Sequence, residues 1–377
     1  MDSMEIIDSA SNFYLSNPIV ASLAIATVVT IVIIAYDVLK NATGKSQKST
    51  ATVRELNIYP IKSCSEVEVP SAAVTPRGFR NDRIFQVVSK VDGKWKFCTP
   101  RDKAFEKLFH VKPLLVVDRE GIKLKLSSVH RRGALVLDLE DAVTSPLATT
   151  VMGYNYLPMA DYGDAVADWL GDATGIDGAR LVGIPPGDGN FRRDVIVNED
   201  QGEELPAGGK AFPMSLGDEA PFLLTTRESM YDLNARLKSS GEDEVDMRRF
   251  RPNIVIDGLL PWEEDSLKRI RIGSVEFHVW QRCGRCTMTT IDRDTLRRGG
   301  EPLKTLSTFR ERKNGQRNFG MHLIPSLGVE GAVGISVGDK VEILEYDDDR
   351  RAEWMRLGKP ATEKKSWLNF LKECPFK

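Results

Sequence analysis

Hydrophobic and polar positions divide this chain into regions with different periodicities. From Ile19 to Tyr36 it reads IVASLAIATVVTIVIIAY, an uncharged run with Ser and Thr as its polar residues. That is close to the shortest apolar stretch able to span a bilayer. Asp2, Glu5 and Asp8 precede it without a basic residue, and Lys40, Lys45 and Lys48 follow. A secretory signal peptide begins with basic residues, so that reading fits the run poorly. The basic flank predicts an anchor over 19–39, after a flank at 1–18, with the rest of the chain on the cytosolic side. Residues 40–52 are rich in Ser, Thr, Lys and Gly and read as a flexible linker. Gly44-Lys45-Ser46 within it is not a phosphate-binding loop, because Leu39 stands where the first glycine belongs and no strand precedes it.

Beyond the linker the apolar positions alternate over short stretches. Strands are predicted at Val53 to Tyr59, Glu66 to Val74, Arg83 to Val91, Lys94 to Phe97, Pro113 to Val117, Ile122 to Ser127 and Ala134 to Leu139. Asp92-Gly93 supplies a hairpin turn. The period then changes: Ala165, Val166, Trp169 and Leu170 share one side of a helix over Asp164 to Ala173. A strand at Arg180 to Val182 closes this first module, 53–184. Pro185 to Phe212 is rich in Gly, Pro and charge and reads as a connection. A second module, 206–346, opens with Pro221-Phe222-Leu223-Leu224 and a helix capped by Thr225 or Thr226, with Met230, Leu233 and Leu237 inward. Strand signals return at Asn253 to Asp257, Arg269 to Ile272, Ser274 to Gln281 and Lys340 to Tyr346, and Pro302 to Arg312 reads as a helix begun by proline. The tail 347–377 is charged, with Trp367, Leu368, Phe370 and Leu371 on a short amphipathic stretch. The predicted class is mixed α/β, β-rich, with two β-barrel modules behind a transmembrane helix.

Composition changes this picture little. Of 377 residues, 41% are hydrophobic and 28% charged, which is ordinary for globular domains. A net charge of −2 gives no general attraction to nucleic acid, and no such partner is expected. The five cysteines are sparse and odd in number, which argues against a disulfide framework and for a reducing compartment.

The densest chemistry is Arg282-Cys283-Gly284-Arg285-Cys286, followed by Thr287-Met288-Thr289-Thr290-Ile291-Asp292. Here the chain leaves the Ser274 to Gln281 strand and presents two thiols and two guanidinium groups. Thiolates are soft metal ligands, and adjacent arginines favour the thiolate and attract anions. Spacing alone leaves three readings open. Cys283 and Cys286 are half a zinc site that His278 and His322 would complete. They are a redox pair, although no helix begins where a thioredoxin-like unit needs one. Or they hold a metal carried by an anionic, sulfur-rich cofactor.

Longer motifs weigh on that choice. The cysteine segment resembles the cofactor loop of MOSC-domain molybdenum proteins, and among them the mitochondrial amidoxime-reducing components. The resemblance extends to Ile58-Tyr59-Pro60-Ile61-Lys62-Ser63-Cys64, Gly78-Phe79-Arg80-Asn81-Asp82-Arg83 and Asp161-Tyr162-Gly163-Asp164. In the second module it covers Asp232-Leu233-Asn234, Phe250-Arg251-Pro252-Asn253 and Gly338-Asp339-Lys340-Val341. It implies a MOSC N-terminal β-barrel domain followed by a MOSC domain, and molybdenum–molybdopterin as cofactor. Cys286 then falls at the metal-ligand position and Cys283 at a second family cysteine that is not the ligand. Lys62, Ser63, Arg83, Arg251, Asn253, Gly284 and Arg285 fall at cofactor-contacting positions, with Arg101 as an addition. Arginine suits a phosphate because its planar fork binds two oxygens and stays charged. His322 and Asp292 are candidate proton donors.

The resemblance further implies an oxidoreductase that reduces N-hydroxylated compounds such as amidoximes and hydroxylamines. No iron–sulfur cysteine pattern is present, so electrons must come from a separate protein; the resemblance implies cytochrome b5 and its NADH-dependent reductase. The implied address is the mitochondrial outer membrane, with the endoplasmic reticulum as the other fit. The rivals are a cofactor-binding or sulfur-carrier protein without turnover and a membrane-tethered zinc adaptor. Three departures stand out. Glu219 and Ala220 occupy hydroxyl-bearing positions of the family motif before Pro221-Phe222, His322 stands where a tyrosine is common after Phe319-Gly320, and Leu296 replaces a glycine.

Overall fold

The first strand, Thr52–Ile58, is built into a sheet whose other long members all come from the far half of the chain. The computed structural model describes residues 51–357, apart from 118, 120, 140–142, 152–153, 186–192, 197–210, 313 and 327–332. The predicted flank and anchor, nearly all of the linker and most of the tail therefore lie outside the described residues. Among the described residues no helix is long and apolar enough to cross a membrane.

The large sheet runs in the order Val67–Glu68, Thr52–Ile58, Ile254–Asp257, Phe222–Thr226, Arg317–Pro325, Val275–Arg285, Leu267–Ile272, Val341–Tyr346. Its last strand returns to the second: Val341 N donates to Ala51 O and Val53 N to Asp339 O, each at 2.9 Å. The sheet therefore curls into a barrel, which removes the exposed edges an open sheet would leave. Phe222–Thr226 and Ile254–Asp257 are parallel. Such a pair needs a crossover, and the helix Arg227–Ser239 supplies it. Thr226 caps that helix, its hydroxyl accepting from Ser229 N at 3.1 Å. The barrel interior is apolar, centred on Leu56, Phe222, Leu224, Ile254 and Phe277. Phe222 packs edge to face against both Phe79 and Phe277, with ring centroids 4.9 and 5.4 Å apart.

A second sheet orders Val143–Val151, Tyr154–Asp161, Arg180–Gly183, Phe85–Val91 and Lys94–Phe97, beside a meander of Val111–Val117, Ile122–Ser128 and Arg131–Asp138. The helix Asp164–Thr174 buries Trp169 and Leu170 in their shared core, with Phe85 and Leu181. The observed class is mixed α/β and β-rich.

Two elements differ from expectation in ways that bear on the site. The predicted helix from Pro302 to Arg312 is a single turn, Leu303–Ser307. Thr308 to Arg310 tighten behind it, and the Arg310 guanidinium turns onto Asp265 at 2.6 and 2.9 Å. A buried carboxylate captures the side chain that would have continued the helix. The other difference is the strand Val275–Arg285, which does not end at Gln281 but runs on through Cys283.

Candidate active site

That longer strand gives its two cysteines different surroundings. Pairing with Arg317–Pro325 shifts register between Val279 and Arg282 and again between Arg282 and Gly284. A bulge adds a residue on one side and re-aims the side chains beyond it. Cys283 lies within the strand and is buried, whereas Cys286 is the first residue past it and is part-exposed. The thiols therefore do not leave the sheet together. The Thr287–Thr290 turn holds Cys286 in place: Thr289 donates to the Cys286 carbonyl from its backbone N at 3.1 Å and its hydroxyl at 2.9 Å.

Cys286 faces a cleft of about 1030 Å³, mouth included, at the junction of barrel and second sheet. Lys62, Ser63, Arg83, Arg101, Arg251, Asn253, Gly284, Arg285 and His322 all line it as well. Asp292 does not. Its carboxylate accepts from Thr295 N at 2.8 Å and Thr295 Oγ1 at 2.7 Å and pairs with Arg249 at 2.8 Å. Against a desolvation penalty, the Thr295 hydrogen bonds and Arg249 hold it at about 2, so it carries no proton to give near neutral pH. Asp292 anchors the loop from outside the cleft.

Six cationic side chains line the cleft, Arg249 among them, against the carboxylates of Asp218 and Glu219. Burial pulls Lys62 below the ordinary lysine range, opposed by Asp218 at 2.5 Å. Burial would lower Arg83 too, but Asp82 beside it raises it instead. Among the described residues Arg251 has no carboxylate within ion-pair distance, and burial followed by the Arg83 charge lowers it. Its Nη1 donates to Cys64 O at 2.5 Å, and its guanidinium lies 4.2 Å from the Tyr59 ring centre. Burial raises the Cys283 thiol against the pull of Arg285, which keeps it protonated. Ser63, Arg83 and Arg251 all have left-handed backbone, at φ 71°, 50° and 56°. Non-glycine residues in that region are concentrated at functional sites, where the surrounding structure over-determines them.

Sequence reasoning missed Asp218, Arg249 and Arg193. Arg193 is buried and donates to the Ser215 and Gly217 carbonyls at 2.7 and 2.5 Å, which fixes the loop carrying Asp218 and Glu219. The four-ligand zinc site is not assembled: among the described residues no three His, Cys, Asp or Glu gather closely enough to hold a metal.

An excess of fixed cations, a buried Arg285 Nε lacking a hydrogen-bond acceptor, and one part-exposed thiol fit an anionic cofactor that carries its own metal. The fold and cleft thus define a two-module β protein built around such a group. Residues 212–342 match the MOSC domain, and residues 50–177 match the MOSC N-terminal beta barrel domain. Human mitochondrial amidoxime-reducing component 1 is 30% identical over 312 residues, covering 79% of this chain and 84% of its own. Mitochondrial amidoxime reducing component 2 of Bos taurus is 30% identical over 278 residues, covering 70% and 73%. Molybdenum cofactor sulfurase of Danio rerio is 32% identical over 300 residues, covering 76% of this chain but 33% of that protein. This chain thus spans about a third of the length of that sulfurase. The chain belongs to the MOSC-domain family of molybdenum-cofactor-associated proteins.

Proposed function

We propose that this protein is a molybdenum-cofactor-dependent reductase of N-hydroxylated compounds, amidoximes and hydroxylamines, supplied with electrons by cytochrome b5 and its NADH-dependent reductase. The observation that carries it is Cys286, a part-exposed thiol at a cation-lined cleft, in a chain akin to the amidoxime-reducing components. Cys286 Sγ would hold the metal. Lys62, Arg83, Arg101, Arg251 and Arg285 would receive the phosphate and pterin, with Ser63 and Asn253 donating hydrogen bonds and Gly284 letting the backbone come close. When bound, the cofactor supplies a redox couple that accepts and passes on two electrons. The protein orients the substrate beside it, and His322 carries a proton inside the cleft. An amidoxime takes up two electrons and two protons to give an amidine and water.

The test uses the full chain, made in a host that synthesises molybdenum cofactor. With NADH, cytochrome b5 and its reductase it should convert benzamidoxime to benzamidine. Molybdenum-loaded protein that its partners reduce, yet that leaves every N-hydroxylated compound unchanged, would overturn the reading. A cofactor or sulfur carrier without turnover, the reading favoured by the likeness to the cofactor sulfurase, would then replace it. The names of the amidoxime-reducing relatives extend the proposal to a mitochondrial address. Cell fractionation that recovers the protein away from mitochondria would remove that part.

A further inference from the structure

Two titratable residues from separate segments meet in the cleft. His322 Nδ1 lies 3.7 Å from Glu219 Oε2. His322 belongs to the Arg317–Pro325 strand, and Glu219 to the loop that Arg193 fixes before Phe222–Thr226. The imidazole is 6% exposed and lies over the Trp280 ring, centroids 6.4 Å apart and planes 26° from parallel.

Several described groups around His322 favour its neutral form. Burial disfavours the imidazolium. The cations that share the cleft, Arg285 from the neighbouring strand and Lys62 and Arg101 from the first module, repel it. Cys283, on that same strand, is a protonated thiol and offers no charge. Asp218 is committed to Lys62. Glu219 is a carboxylate that opposes them at ion-pair distance. Its side chain is 46% exposed, so it also links the buried ring to solvent.

We propose that Glu219 is a positioning residue that keeps His322 protonated, making His322 the proton donor to the oxygen that leaves the substrate. This rests on the reductase reading. As the N–O bond breaks it takes up two electrons, which the haem donor has delivered beforehand one at a time. One proton passes from His322 Nε2 to the departing oxygen, which leaves as water, and solvent supplies the second proton to nitrogen. Nδ1 stays turned to Glu219, and the neutral imidazole is recharged from solvent past that carboxylate.

The chain has four histidines, which keeps a ¹³C-histidine NMR titration simple. In cofactor-free full-length protein, with His322 assigned through His322→Gln, Glu219→Gln should lower the His322 midpoint by about one pH unit. His278 should not move. Should Glu219→Gln not fold, Glu219→Asp should keep the charge and most of the shift. A His322 midpoint indifferent to Glu219 overturns the pairing. With the loaded protein, kcat for benzamidoxime should fall as pH rises through the His322 midpoint. Glu219→Gln should move that fall about one unit lower with KM unchanged. A moved NMR midpoint with an unmoved kcat profile overturns the donor role. Coupling by NMR with no turnover of any N-hydroxylated compound overturns the reductase reading and leaves the pair standing.

Discussion

Cys286→Ser should lower turnover of N-hydroxylated substrates by more than about 100-fold, while Cys283→Ser should keep most of it. The bulged strand sets the contrast. Cys283 also lines the cleft, but from inside the sheet, where burial raises its thiol and favours the protonated form. Cys286 has left the sheet, faces the cleft, and is held by Thr289 bonds to its carbonyl. A serine hydroxyl at 286 is almost fully protonated near neutral pH and is a harder, weaker ligand than thiolate. Serine at 283 puts a hydroxyl in a buried site, which costs about 1–3 kcal/mol of stability if it finds no partner, but touches no ligand bond. Metal analysis beside the rate assay separates the two: Cys286→Ser should lose molybdenum, and Cys283→Ser should bind it. The opposite pattern would move the ligand to Cys283 and contradict the geometry.

Strand alternation was the most legible feature of the sequence. The segments predicted at Lys94 to Phe97 and Ile122 to Ser127 are strands within a residue of their predicted ends. What periodicity does not carry is sheet membership. Thr52–Ile58 has the same pattern as the strands after it, yet pairs with Ile254–Asp257, because pairing is decided by which buried faces meet after the chain closes. Bulges hide for a related reason. Between Val279 and Arg282 the added residue breaks the two-residue period, so the pattern reads as an end where the strand continues.

The cleft was readable to a different degree. Lys62, Arg83, Arg251 and Cys286 lie in motifs whose order along the chain is distinctive, and the structure brings them to one place. Asp292 shares a motif with Cys286, but the turn between them points it at Thr295 and Arg249. Asp218 and Arg249 carry no local pattern. Their position depends on Arg193 and on Asp292, each distant from its partner in sequence, and such contacts exist only once the fold has formed.

Arg83→Ala and Arg251→Ala should both lose the cofactor, yet differ sharply in stability. Arg83 pairs with Asp82, a carboxylate 1% exposed, and donates to Asn253 Oδ1 at 3.1 Å. Removing the guanidinium leaves that carboxylate with the Tyr59 N–H at 2.8 Å and no countercharge. Breaking a buried pair from one side costs about 3–5 kcal/mol, and the partial exposure of Arg83 puts this case at the lower end. Arg251 offers the opposite balance. Like Arg83 it is half-buried, but among the described residues it has no carboxylate at ion-pair distance, and both desolvation and Arg83 disfavour its charge. Its loss gives up the bond to Cys64 O and the contact with Tyr59 but relieves a repulsion, so Arg251→Ala should cost less than about half as much. Neither alanine adds backbone strain, since each residue it replaces already holds a Cβ at positive φ. Urea unfolding of cofactor-free protein measures the stability difference, and molybdenum and pterin content after purification measures retention. Arg83→Lys should recover most of the stability by restoring a charge beside Asp82, while still holding less cofactor because an ammonium lacks the two-pronged grip. Full cofactor content in Arg251→Ala, with its fold intact, would show that this arginine serves the packing of Tyr59 and Cys64 and not the ligand.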